Sequence, residues 1–168
     1  MTSAELLVDA FGRVRGVVHD AVGGLSVEQL SYRPDEGSNS IAWLVWHLTR
    51  IQDDHVAHVA DLDQVWTAAS WADRFGLPFP PGATGYGHGP ADVVAVRVAG
   101  DLLLGYYDAV HDQTLGYVSG ITDADLDRIV DEAWDPPVTL GVRLVSVIDD
   151  DMQHGGQAAY VRGLIERG

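Results

Sequence analysis

Trp43-Leu-Val-Trp-His-Leu-Thr-Arg50 is apolar enough to lie inside a helical protein, yet a histidine interrupts it. A second apolar helical stretch far along the chain is interrupted in the same way, by Asp150 and His154 in Ile148-Asp-Asp-Asp-Met-Gln-His-Gly-Gly-Gln157. Residues four apart lie one above the other on a helix face, so Asp150 and His154 can grip one ion as a pair. His47 sits in the only other long apolar segment with an inward-pointing histidine, and two packed helices can bring all three groups to one point. The competing explanation is metal-free: Asp150 simply hydrogen-bonds or ion-pairs with one of the histidines. A buried polar group without any partner costs about 1–3 kcal/mol, so the interruption needs one reason or the other.

Working outward, the spacing of Leu6, Leu7, Ala10, Val14, Val17, Val18 and Ala21 predicts a first long helix over 3–23, ended by Gly23-Gly24. Ser26 with Gln29 three residues later predicts a short capped helix, and 31–39 reads as a loop. A second long helix is predicted over 41–61, with Ile41, Leu44, Leu48, Ile51 and Val59 inward and a cap from 38–40. Residues 70–90 read as a long loop, rich enough in aromatic residues to pack on a site as a lid. Val94, Val98, Leu102, Leu103, Tyr106 and Val110 predict a third long helix over 91–118, in which Gly100 and Gly105 allow close helix contact. A short capped turn begins near Thr122, Asp135-Pro-Pro137 breaks it, and a fourth long helix runs over 139–165. No credible strand run is present. The expectation is one all-α domain over 1–168, a four-helix bundle with short linking helices and a long loop between the second and third long helices.

The charge balance narrows the partners. Twenty-five acidic residues against ten basic ones give a net charge of −15, which repels a phosphate backbone or an anionic membrane surface. No apolar run approaches the roughly 20 residues of a spanning helix. The N-terminal residues lack the basic and apolar regions of a signal peptide, so a cytoplasmic location is expected. There is no cysteine, which excludes a disulfide framework, a thiolate ligand and a cysteine nucleophile. A small molecule is the expected partner, and thiol chemistry here would need an external thiol.

Two neutral imidazoles and a carboxylate suit zinc first, with nickel, iron or manganese as alternatives. Three protein ligands leave open positions, the arrangement of a catalytic ion. Gln157, one turn beyond His154, can orient a ligand from outside the coordination sphere. Arg143, Trp71, Trp43, Phe79 and Asp54 are candidates for substrate contact, with an ion pair the competing role for Arg143 and core packing for Trp43. His58 shares the His47 face but lies about 16 Å further along the axis, so it and His55 read as surface residues. His19 and His111 also read as solvent-facing, and His88, in the long loop, is the one to watch. Of Asp149, Asp150 and Asp151, only one can share the face of His154, because successive helical residues point about 100° apart.

Gly24-Leu-Ser-Val-Glu-Gln-Leu-Ser-Tyr-Arg-Pro34, Asn39-Ser-Ile-Ala-Trp-Leu-Val-Trp-His-Leu48 and Gln153-His-Gly-Gly-Gln-Ala-Ala-Tyr-Val-Arg-Gly163 resemble signatures of the DinB-like superfamily of helical-bundle metalloproteins. That superfamily includes mycothiol-dependent maleylpyruvate isomerases and bacillithiol S-transferases. The resemblance implies an up-up-down-down bundle, often a homodimer, with one divalent ion held by His47, Asp150 and His154. Many members have histidine where this chain has Asp150, and an acidic residue there is similar to the mycothiol-dependent branch. The anionic ligand lowers the charge of the site and makes a bound water or thiol less acidic. The resemblance therefore implies a metal-dependent transferase or isomerase using a low-molecular-weight thiol. A metal-dependent hydrolase and a non-catalytic metal- or ligand-binding stress protein are the alternatives.

Overall fold

The computed structural model describes residues 1–167. Four long helices carry the fold: α1 (Ser3–Val22), α3 (Ile41–Ala60), α7 (Gly100–Val118) and α8 (Leu140–Ile165). Both α1 and α3 pack against α7 and α8, which closes a bundle whose buried apolar residues form two clusters, one around Trp46 and Tyr106 and one around Phe11, Leu140 and Leu144. Short helices α2 (Val27–Leu30), α4 (Val65–Ala68), α5 (Trp71–Phe75) and α6 (Pro90–Ala95) fill the links.

The helix starts follow from the side chains that precede them. Thr2 with Glu5 and Ser26 with Gln29 form reciprocal capping boxes at α1 and α2, and Ser40 and Thr139 accept the Trp43 and Val142 amides at α3 and α8. Helix α3 is unusual because residues 41–50 are buried on every side. A helix that is apolar all round is stable only when neighbours cover each face. Here α7 and α8 cover two faces and the segment after α5 covers another, through the stack of Phe79 and His88 on Trp46.

Three expectations need correcting. The third long helix does not run unbroken from 91: α6 stops at Ala95, residues 96–99 are not helical, and α7 starts at Gly100. Val96 and Val98 are buried while Arg97 and Ala99 are exposed, so β-branched residues alternate into the core there, and Val94, expected inward, is 60% exposed. The 70–90 loop holds helix α5, and two strands, β1 (Ile129–Asp131) and β2 (Val138–Thr139), form an antiparallel pair leading into α8. Gly100 and Gly105 do permit close contact, since a Cβ would lie 3.2 Å from Val22 Cγ1 at the first and 2.9 Å from Trp71 Cη2 at the second.

Candidate metal centre

His47 projects from the fully buried half of α3, and Asp150 and His154 project from α8 one turn apart. One ligand atom from each lies within 4.8 Å of the others. His47 is 6% exposed, whereas the side chains of Asp150 and His154 keep 30% and 21% of their exposure, so the cluster is open on one side.

The hydrogen bonds fix which nitrogens face the cluster. His47 Nδ1 lies 2.6 Å from the Thr84 carbonyl oxygen, which can only accept, so Nδ1 carries the proton and Nε2 keeps its lone pair. His154 Nδ1 lies 3.0 Å from Gln157 Oε1, again an acceptor, and its Nε2 stands 3.6 Å from Asp150 Oδ1. Both imidazoles are thus held from behind by an oxygen, the arrangement that orients histidine ligands. Burial lowers the His47 pKa and favours the neutral ring that a metal requires; the Thr84 carbonyl and Asp150 act in the opposite sense. Asp150 Oδ2 is buried with no hydrogen-bond partner among the described residues. A carboxylate with one oxygen lacking a donor, in a group that brings one ligand atom each of His47, Asp150 and His154 within 4.8 Å, fits a cation.

Around the cluster, the Trp43 ring stacks on His47 with centroids 4.7 Å apart, meets His154 edge-on at 6.4 Å, and donates its indole N–H to His88 Nδ1 at 3.2 Å. An open groove of about 740 Å³, lined by residues including Asn39, Gln153, Gln157 and Tyr160, reaches the back of His154 through Gln157.

The remaining candidates fall elsewhere. Arg143 is engaged by Asp131 at 2.8 Å and approaches His55 Nδ1 at 3.4 Å. Trp71 is a core residue against Gly105, Phe75 and Tyr106, with Arg74 stacked over its ring, and Asp54 accepts from Gln64. Phe79 packs on Trp46 and His88. His55 and His111 are not surface residues: His55 is half-buried beside Arg143, and His111 is buried against Tyr107. His19 is half-buried and bonds Asp108 at 2.8 Å. The residues that the sequence reading missed are Thr84 and Gly85. Thr84 acts through a backbone carbonyl, which leaves no side-chain signature. Gly85, at φ +95°, allows the backbone to reach His47, because a Cβ there would sit 2.7 Å from His47 Nδ1. The Gly85-Tyr-Gly-His-Gly89 run was the available signal.

A family model of the DinB superfamily matches residues 10–158. The chain belongs to the DinB superfamily. Members of this superfamily commonly bind metal. Among solved structures, the DinB chain is similar to a protein described as the conserved protein of locus from Enterococcus faecalis, at 30% identity and a TM-score of 0.92, covering 100% of this chain and 99% of that one. No curated protein matches. Among the described residues, no helix of this DinB protein is long and apolar enough to cross a membrane.

Proposed function

We propose that this protein is a metal-dependent transferase or isomerase that presents a low-molecular-weight thiol to an electrophilic small molecule. The observation that carries the reading is the convergence of His47, Asp150 and His154 at a partly open cluster in a chain without cysteine. His47, Asp150 and His154 would hold a divalent ion, zinc first by ligand type, and that ion would supply Lewis acidity toward a thiol. The chain's own residues set the geometry. Thr84 and Gln157 hold the two rings by Nδ1–H, so both Nε2 atoms present lone pairs. Asp150 adds one negative charge, which moderates the acidity of the bound group relative to a site with three neutral ligands. Trp43 excludes water from one side of His47 and offers a flat apolar wall to the electrophile.

The test is incubation of metal-loaded protein with a panel of small thiols and an activated alkene or alkyl halide, following thioether formation by mass spectrometry. The expected result is thiol-dependent product formation that His154→Ala abolishes. Product formed by water, with no dependence on thiol, would make the protein a hydrolase. Metal binding without turnover of either kind would make it a binding protein.

A further inference from the structure

The segment 83–88 lies along α3 and is held at three points by one face of that helix. Trp43, His47 and Arg50 stand at i, i+4 and i+7, and they donate to His88 Nδ1, the Thr84 carbonyl and the Ala83 carbonyl in that order. Because the order along the segment is the reverse of the order along the helix, the segment runs back along α3 as a strap over His47. Gly85 lets it lie flat against the ring.

Arg50 is the anchor of this arrangement. It is fully buried, and its donors are distributed among four acceptors: Nε to Ala83 O at 3.1 Å, Nη2 to Gln64 Oε1 at 2.8 Å, and Nη1 to Tyr106 Oη at 3.2 Å and Asp53 Oδ2 at 3.4 Å. Trp66 lies beneath its guanidinium at 5.3 Å. A planar fork held on so many sides has no freedom to swing, so the Ala83 carbonyl it grips is fixed relative to α3. The next carbonyl in the chain is the one that sets the His47 proton.

We propose that Arg50 is a positioning residue for the metal centre: by clamping the 83–85 strap it keeps the Thr84 carbonyl on His47 Nδ1–H and holds the ring with Nε2 facing Asp150 and His154. The consequence for metal affinity rests on the reading of the cluster as a metal site; the consequence for the His47 proton does not. Two variants attack the clamp from opposite ends. Arg50→Lys keeps a cation beside Asp53 but loses the planar Nε–H to Ala83. Gly85→Ala leaves Arg50 and its partners in place and drives a methyl group against His47, with the Trp46 and Trp43 rings at 3.1 and 3.2 Å having to give way.

The readouts are the imidazole ¹⁵N shifts of His47 in metal-free protein and the cobalt(II) dissociation constant, with circular dichroism to establish folding. In the wild type, His47 is expected as a single Nδ1–H form. Both variants, folded, are expected to mix tautomers and to bind cobalt(II) about 10–100-fold more weakly, the usual effect of losing a partner that orients a ligand. If Arg50→Lys does not fold, Gly85→Ala decides alone. Folded variants with a wild-type His47 signature and wild-type cobalt affinity would overturn the clamp. A wild type that takes up no cobalt would overturn the metal reading instead, and the His47 tautomer in the variants would still decide the clamp.

Discussion

Two buried aspartates act on the two adjacent tyrosines of α7, Asp53 through a hydrogen bond to Tyr106 and Asp151 through its charge on Tyr107, and their surroundings are opposite. Asp53 accepts from the Val65 and Trp66 amides at 2.9 and 2.8 Å and from Tyr106 Oη at 2.8 Å, and it lies 3.4 Å from Arg50. Asp151 is fully buried with neither oxygen bonded, and the hydroxyl of Tyr107 and Nδ1 of His111 also lack partners among the described residues. Burial drives the Asp151 pKa well above its ordinary value, with the neighbouring Asp150 adding to the effect, and burial and Asp151 raise that of Tyr107. A buried carboxylate therefore has no fixed worth. On the Asp53 side it starts α4 and completes the pocket of Arg50; on the Asp151 side it is a cost carried within the core.

The comparison can be broken by substitution. Asp53→Ala should have the largest effect, a loss of about 3–5 kcal/mol in chemical denaturation, because it strands a buried arginine and two amides. Tyr106→Phe should cost about 1.5–3 kcal/mol by removing a hydroxyl that bonds charged groups on both sides. Asp151→Val should act in the opposite direction, raising stability by about 1–3 kcal/mol, since it removes a buried polar group that has no partner to strand. Tyr107→Phe should be the smallest, within about 0.5 kcal/mol of wild type. If Tyr106→Phe and Tyr107→Phe cost the same, or if Asp151→Val destabilises as strongly as Asp53→Ala, the two regions do not differ in the way the hydrogen bonds indicate.

The same pair separates what the sequence reveals from what it hides. The metal face of α8 is legible because Asp150 and His154 interrupt an apolar face at ligand spacing. The sequence separates Asp151 from the face of His154 but does not say where it goes; the core stripe of α8, Leu140, Leu144, Val147, Ala158 and Val161, runs through position 151 at the same period. The period of the stripe puts the position inside, whereas the chemistry of aspartate argues for water, and tertiary packing prevails. Asp149, one residue before Asp150, does point to solvent. The caps at Ser26 and within 38–40 were readable because a cap is a local hydrogen bond, whereas Thr139, expected as the first residue of α8, is its cap. The break at 96–99 was not, because a valine-rich stretch satisfies both helical and alternating burial until the partner surfaces are known. The Thr84 carbonyl, which orients His47, lies 37 residues along the chain and could be found only in the folded structure.

The most direct test of the metal centre is elemental analysis of untagged protein, for wild type and for His47→Ala and Asp150→Ala. The account predicts about one divalent transition-metal ion per wild-type chain and its loss in both variants. A wild type that contains no such ion and takes up neither zinc nor nickel would contradict it, and would leave the three residues as a polar cluster in the wall of the bundle.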